Sequence, residues 1–399
     1  MGLPYHIFIV YWVRSYKIML PLPKLTMIMF RRFLIIANAL LSSAWVCAQG
    51  TDYRATYYVD GAEKKDQFRS HTSLESVEQG GSVVYATNGV DLILTKMRLN
   101  KTSGSISDTD RRETGRNSVI LADGGSKVLL EFCDVVSHIP QSDGITAKGS
   151  GTKVTVQEGS IGINRLGGAA VNVVSGGVVE LNETNVSTNA WALCNVDGGS
   201  VTFNDCILKE GGVCGFLLYG AQRNDGQGTL DLNKNMLTIS DGPMFLVTNT
   251  SALITMTGNK INGMTDELLS VKADYWGTAG ANGGKASLIL KKQTISGDIK
   301  VDSISSLELK LQKGARFNGH INQKENRCAH VSVKIESGAV WTVKGESYLT
   351  SIEFAKPIKK GLKQLKGKHV IYYDPDDAAN APLGGREYKT GGGILRPLR

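Results

Sequence analysis

The sequence predicts an all-β fold, a right-handed parallel β-helix of roughly ten to twelve coils. Three observations carry that expectation. A unit recurs with starts at Leu92, Val128, Val154, Val179, Val201, Leu230, Ile254, Leu288, Leu307 and Val331, spaced 19 to 36 residues apart. Each start opens a short alternating segment, as in Val179-Glu180-Leu181-Asn182-Glu183, Val201-Thr202-Phe203-Asn204-Asp205 and Leu230-Asp231-Leu232-Asn233-Lys234. Period-2 alternation over so few residues is a half-buried strand, not a helix. Gly pairs such as Gly176-Gly177 and Gly198-Gly199 stand between strands and supply the positive-φ corners of sharp bends. No such unit can bury its apolar face alone, so the units must stack as a solenoid. At about 4.8 Å per coil the rod is on the order of 50 Å long. The 46 glycines and only 9 prolines in 399 residues, set in alternating apolar segments, fit neither collagen nor a disordered linker.

Residues 1–48 precede the repeats. Arg31-Arg32, the apolar run Phe33–Leu41 and Val46-Cys47-Ala48 have the order of a secretory signal peptide, with cleavage expected after Ala48 and a secreted, extracellular or cell-surface product. The run is shorter than the ~20 residues of a spanning helix. Trp45 and Val46 before Cys47 fit a lipoprotein signal poorly. Residues 1–26 read as an upstream extension, a start-site artefact with translation beginning at Met27 or Met29. The competing reading is a membrane anchor, which the charges at Arg14, Lys17 and Lys24 oppose.

Composition removes some functions. The 45 basic and 37 acidic residues suggest a nucleic-acid surface, but five basic residues fall before position 49 and ten beyond 355. Residues 49–355 hold 30 basic and 33 acidic groups, which excludes a nucleic-acid partner. The cysteines after residue 48 are Cys133, Cys194, Cys206, Cys214 and Cys328, an odd set without C-x-x-C spacing. That argues against a zinc site and against a disulfide framework, and the expectation is buried free thiols. No cofactor and no bound metal are expected.

The repeat alignment exposes a ladder. Five residues after successive starts stand Met97, Cys133, Gly159, Thr184, Cys206, Asn235, Asn259 and Gln293. Stacked small or amide residues fit an inward or corner position, where amides bond the same backbone groups of neighbouring coils. The solenoid is expected to span 49–373, with Trp341 and Tyr348 in the C-terminal cap and residues 374–399 as a tail.

Several segments resemble a known group. They are Asp241-Gly242-Pro243-Met244-Phe245-Leu246-Val247-Thr248-Asn249-Thr250, Tyr275-Trp276-Gly277, Asn282-Gly283-Gly284, Ser296-Gly297-Asp298-Ile299, Gly338-Ala339-Val340-Trp341-Thr342-Val343, Ser347-Tyr348-Leu349-Thr350 and His369-Val370-Ile371-Tyr372-Tyr373-Asp374. Together they are similar to bacterial secreted β-helix proteins of the pectate-lyase-like type, described as adhesin-like and akin to autotransporter passengers. The likeness is close over 240–374 and is one of repeat texture over 80–240. It implies a non-enzymatic surface rod that binds glycan or another surface polymer. Relatives run through neutral turns where this chain has Lys356, Lys359, Lys360, Lys363, Lys366 and Lys368. Only 25 residues follow Asp374, too few for a membrane barrel, so a self-inserting autotransporter is not expected.

Candidate chemistry is sparse. Tyr275, Trp276 and Asn282 lie in a long glycine-rich insertion that can stack on a sugar; the competing reading packs Trp276 against the coil. Lys359, Lys360 and Lys363 belong to a basic run able to meet an anionic polymer, or to a solvated segment covering the rod end. The alternative function is a carbohydrate-active enzyme, a lyase or glycoside hydrolase. It would need Ca²⁺ held by acids and a base, with Asp108, Asp110, Arg111, Arg112, Glu113 and Arg116 as the densest set. Mixed charges of this kind are expected to form a solvated loop. Glu180 and Asp231 could offer a hydrolase pair, but no supporting His or Arg pattern accompanies them. No catalytic residue is assigned. His320, His330 and Cys328 give only a weak metal pattern.

Overall fold

The structure, a computed structural model, describes residues 53–221, 226–323 and 329–398. The expected signal peptide, the extension before it and Cys328 lie outside the described residues. From Tyr53 onward the chain winds into a parallel β-solenoid of about 13 turns. Most turns contribute three strands, which stack into three long sheets. Sheet A has ten strands, from Ala55–Asp60 to Asp298–Val301. Sheet B has twelve, from Asp66–Ser70 to Ser351–Phe354, and sheet C has eight, from Ser73–Ser76 to Lys260–Gly263.

Register follows the repeat. Leu92, Val128, Val154, Val179, Val201, Leu230, Ile254 and Leu288 lie opposite one another on successive strands of sheet B. The next expected start, Leu307, sits two residues early: Leu288 faces Leu309, and Leu307 faces Ala286. A two-residue slip keeps the same face inward, so Leu307 and Leu309 are both buried and the core is undisturbed.

The expected ladder is interior. Cys206 N–H donates to Asn235 Oδ1 (2.8 Å), Asn235 N–H to Asn259 Oδ1 (2.9 Å) and Asn259 N–H to Gln293 Oε1 (2.8 Å). Upstream, Met97 N–H donates to Cys133 Sγ (3.4 Å). The residue just before most ladder positions has left-handed backbone, including Lys96, Phe132, Glu158, Glu183, Asp205, Lys234 and Lys292 at φ 48–55°. Those residues turn the chain out of sheet B, into sheet C in every case but Lys292, which leads into a four-stranded sheet that begins at Thr294–Ser296. The sequence expectation put positive φ at the Gly pairs, where Gly176 and Gly198 do adopt it. The second corner uses residues with side chains, held there by the buried ladder group that follows. Cys133, Cys194, Cys206 and Cys214 are free, buried thiols, and burial pushes the pKa of each upward.

Sheet C carries one buried cation on its inward row, where Lys101 is 0% exposed between Ser76 and Ser137. Its Nζ donates to Glu78 O (2.8 Å). Burial pulls its pKa down to about 8, the Glu78 carboxylate offsetting only part of the effect. Above pH 8 the folded protein releases this proton while the unfolded chain holds it to about 10.5, so stability rises with pH over that interval. Across it the wild type is expected to gain up to about 3 kcal/mol relative to Lys101→Met, measured by urea denaturation at each pH. Parallel pH profiles of the two proteins would refute the assignment.

The rod closes later than the sequence suggests. Trp341 is buried against Phe317 (5.9 Å between centroids), its Nε1–H donating to Gly319 O (3.0 Å), and Tyr348 stacks on Tyr372 (4.8 Å). Lys359 and Lys360 ride on a short helix, Ile358–Gly361, and Lys363 on the 3-10 turn Leu362–Gln364. Leu362 and Leu365 are buried beneath them, while Gln364 donates to Glu336 O (2.6 Å) and Ala339 O (2.8 Å). The segment after Asp374 is part of the fold and not a loose tail: Ile394–Pro397 pairs in parallel with Val370–Tyr373 and antiparallel with Tyr388–Lys389. It covers an edge that would otherwise remain open.

Candidate functional site

The two longest repeats, of 36 and 34 residues, carry insertions that meet on the outside of sheet A. The first runs from the end of Arg98–Lys101 in sheet C to Ile120–Ala122 in sheet A. The second joins Glu267–Val271 in sheet A to Lys285–Lys291 in sheet B. They leave opposite edges of sheet A and lean over its outer face from opposite sides.

The first insertion is a helix, α1 (Asp108–Thr114), and not the solvated loop expected of its mixed charges. Its sequence is written for one: Ser107 caps the first turn by accepting from Asp110 N–H, Asp108 and Asp110 occupy the positive end, and Gly115 closes it at φ 76°. Two arginines point inward. Arg111 is 1% exposed and bonds Asp143 (2.5 Å) and Asp108 (2.7 Å), and Asp143 is itself 0% exposed beneath the helix. Burial disfavours the guanidinium charge, but the Asp143 and Asp108 carboxylates outweigh it, and the net shift holds Arg111 protonated. Asp143 Oδ1 also accepts from Ala169 N–H (2.8 Å), so one carboxylate ties α1 to two coils. Arg116 pairs with Asp110 (3.1 Å).

Arg112 is the meeting point. Its guanidinium bonds Asp108 and, from the other insertion, the hydroxyl of Tyr275, and it lies over the rings of Trp276 (5.3 Å) and Tyr275 (5.6 Å). Tyr275 is 67% exposed. Trp276 is buried and packs on Tyr219 (4.8 Å) in an apolar cluster with Leu217, Leu246, Ala192 and Cys214 on the outer face of sheet A. Asn282 is buried as well, and its amide donates to Asp274 O (2.5 Å) and Trp276 O (2.9 Å). Of the three residues in this insertion expected at a ligand, Tyr275 is the one the structure exposes. Trp276 walls the site, and Asn282 holds the loop's shape.

Sheet A explains why the insertions are there. Its strands Ala169–Val174, Ala192–Asp197 and Cys214–Tyr219 are buried along both faces, whereas strands of sheet B such as Val178–Asn182 alternate. The signal is in the sequence: Ala-Ala-Val-Asn-Val-Val and Cys-Gly-Phe-Leu-Leu-Tyr are near-continuous apolar runs, the mark of a strand covered on both sides. The outward row beneath the roof reads Thr146, Asn172, Asn195, Leu217 and Leu246 on successive strands. Thr146 Oγ1 is bonded to Ser118 Oγ (2.6 Å).

The other candidates are dispersed. Glu180 and Asp231 point outward from sheet B on either side of Thr202, and Glu180 is bound by Lys153 (2.8 Å), which lowers its pKa. His320 pairs with Asp298 (2.8 Å). Among the described residues no group of His, Cys, Asp and Glu side chains is placed to hold a metal ion. No helix among them is long and apolar enough to cross a membrane. Fold and site define a parallel β-solenoid with one roofed face. No family model, curated protein or solved structure matches the chain.

Proposed function

We propose that this chain is a secreted or surface-exposed, adhesin-like β-solenoid of the bacterial pectate-lyase-like type, which binds glycan without cleaving it. The observation that carries the reading is the junction of the two insertions at Arg112, Tyr275 and Trp276, which builds an aromatic site over a rigid sheet. Exposed Tyr275 offers a stacking face for a sugar ring, and the solenoid supplies a scaffold that loses little entropy on binding. Lys359, Lys360 and Lys363, all exposed on the C-terminal cap, add a basic patch for an anionic stretch of the same polymer.

The site's carboxylates favour binding over catalysis. Asp108 and Asp143 are both held by arginines, and away from the site, on sheet B, Lys153 holds the pKa of Glu180 below its usual value. A hydrolase or Ca²⁺-dependent lyase requires a protonated carboxyl or a free base beside the sugar.

The test is size-exclusion chromatography of the purified protein with acidic and neutral polysaccharides, with and without Ca²⁺. The protein is expected to travel with intact polymer, and Tyr275→Ala to weaken that association at least about tenfold with an unchanged Tm. Shortened polymer chains would overturn the binding reading in favour of the carbohydrate-active enzyme.

A further inference from the structure

The roof over sheet A seals in polar groups that the fold leaves unsatisfied. Asn172 is 0% exposed, and neither its amide oxygen nor its nitrogen finds a partner among the described residues. The same holds for Asn195 Oδ1 on the next strand, the Tyr219 hydroxyl, Trp191 Nε1 and Arg111 Nε. Asn172 and Asn195 are register neighbours, and Tyr219 lies one strand further on, against Trp276. Arg111, Arg112 and Asp143 are close enough to Tyr219 to act on its hydroxyl electrostatically, and burial raises its pKa so that it stays protonated. In the interior ladder the donors and acceptors of Asn235 and Asn259 are met at 2.8–3.0 Å, and where other buried amides such as Asn117 and Gln364 leave their oxygen unmet, their nitrogen is bonded. Among the described residues Asn172 is the one buried amide with both ends unmet, and it lies where the two insertions converge.

Their chemistry selects a ligand. Asn172 offers a donor and an acceptor, Asn195 an acceptor, Tyr219 both, Trp191 and Arg111 donors. Asp143 Oδ2 adds one more unmet acceptor, and the charges balance, because Arg111 and Arg112 are paired with Asp108 and Asp143. An anionic sugar would need an uncompensated cation at this place. A ligand with many hydroxyls, each donor and acceptor at once, and an apolar ring face for Tyr219 and Trp276, is what the stripe matches. We infer that the stripe under α1 is the binding site for a neutral sugar unit of the glycan. The inference rests on the glycan-binding reading above and narrows it. The sugar enters by parting Arg112 from Tyr275, the contact that joins the two insertions over the stripe.

The closing experiment titrates the full-length protein with neutral oligosaccharides (from mannan, β-glucan and galactan) and with oligogalacturonate, following tryptophan fluorescence and Tm. Saturable binding of a neutral oligosaccharide is expected, insensitive to high salt. Asn172→Ala and, separately, Asn195→Ala should each weaken it about tenfold or more. Asn172→Ala should leave the Tm of the unliganded protein equal or higher, because an unmet buried amide costs the fold and serves only the ligand. Neutral binding that survives both substitutions, or an Asn172→Ala protein with a clearly lowered Tm, would overturn the site: the amide would then be a structural group satisfied by water. Binding of oligogalacturonate alone would refute the neutral class while leaving glycan binding intact. If neither kind of oligosaccharide binds, both readings fall.

Discussion

Asn259→Ala is expected to lower the free energy of unfolding by about 4 kcal/mol. Asn259 Oδ1 accepts from Asn235 N–H (2.9 Å), and its Nδ2 donates to Leu232 O (2.8 Å). Both backbone groups are interior, and alanine leaves them without water or partner. Each unmet group costs about 1–3 kcal/mol, and the lost packing adds to it. Asn204 is the control. It also belongs to an amide ladder, accepting from Asn233 Nδ2 (3.0 Å) and donating to Asn182 Oδ1 (2.8 Å), but that ladder runs along the outside of sheet B. Water replaces those bonds, so Asn204→Ala should cost less than about 1 kcal/mol. Urea denaturation of the two variants separates the cases. Equal losses would mean that the interior ladder contributes volume and not hydrogen bonds.

The ladder is also where the sequence was most legible. Strict alternation fixes which residues of sheet B face inward, and eight repeat starts from Leu92 to Leu288 then fall into register. The Leu307 slip was invisible because a shift of two residues preserves the inward face, and nothing in the alternation penalises it. The roof was half legible. Both insertions stand out by length, and Ser107 through Gly115 spells a capped helix. Mixed charge was the misleading feature: Arg111 and Arg112 look solvated until a buried partner is known, and Asp143 lies 32 residues away from Arg111. The contact between Arg112 and Tyr275 spans 163 residues, and no local pattern encodes it. The covered face of sheet A was encoded, in apolar runs that do not alternate, and with it the need for a roof.

Asp143→Ala is expected to release that roof. The substitution removes the carboxylate that holds Arg111 at 2.5 Å and leaves Ala169 N–H unmet. Keeping Arg111 buried would then cost about 3–5 kcal/mol. The protein has a cheaper response, because a seven-residue helix has almost no stability of its own. α1 should lift away, returning Arg111 to water while the solenoid stays folded. Hydrogen exchange over 108–116 should therefore rise by orders of magnitude, and trypsin should cut after Arg111 or Arg112 in a protein whose sheets remain protected. The double substitution Asp143→Leu/Arg111→Met should instead restore protection, since an apolar pair of similar volume needs no counter-charge. Protection restored without the arginine would show that α1 is held by burial, with the ion pair serving to place Arg112 against Tyr275. If Asp143→Ala leaves α1 as protected as in the wild type, the pair does not anchor the roof, and the helix must be held by its packing on Ala169–Val174 alone.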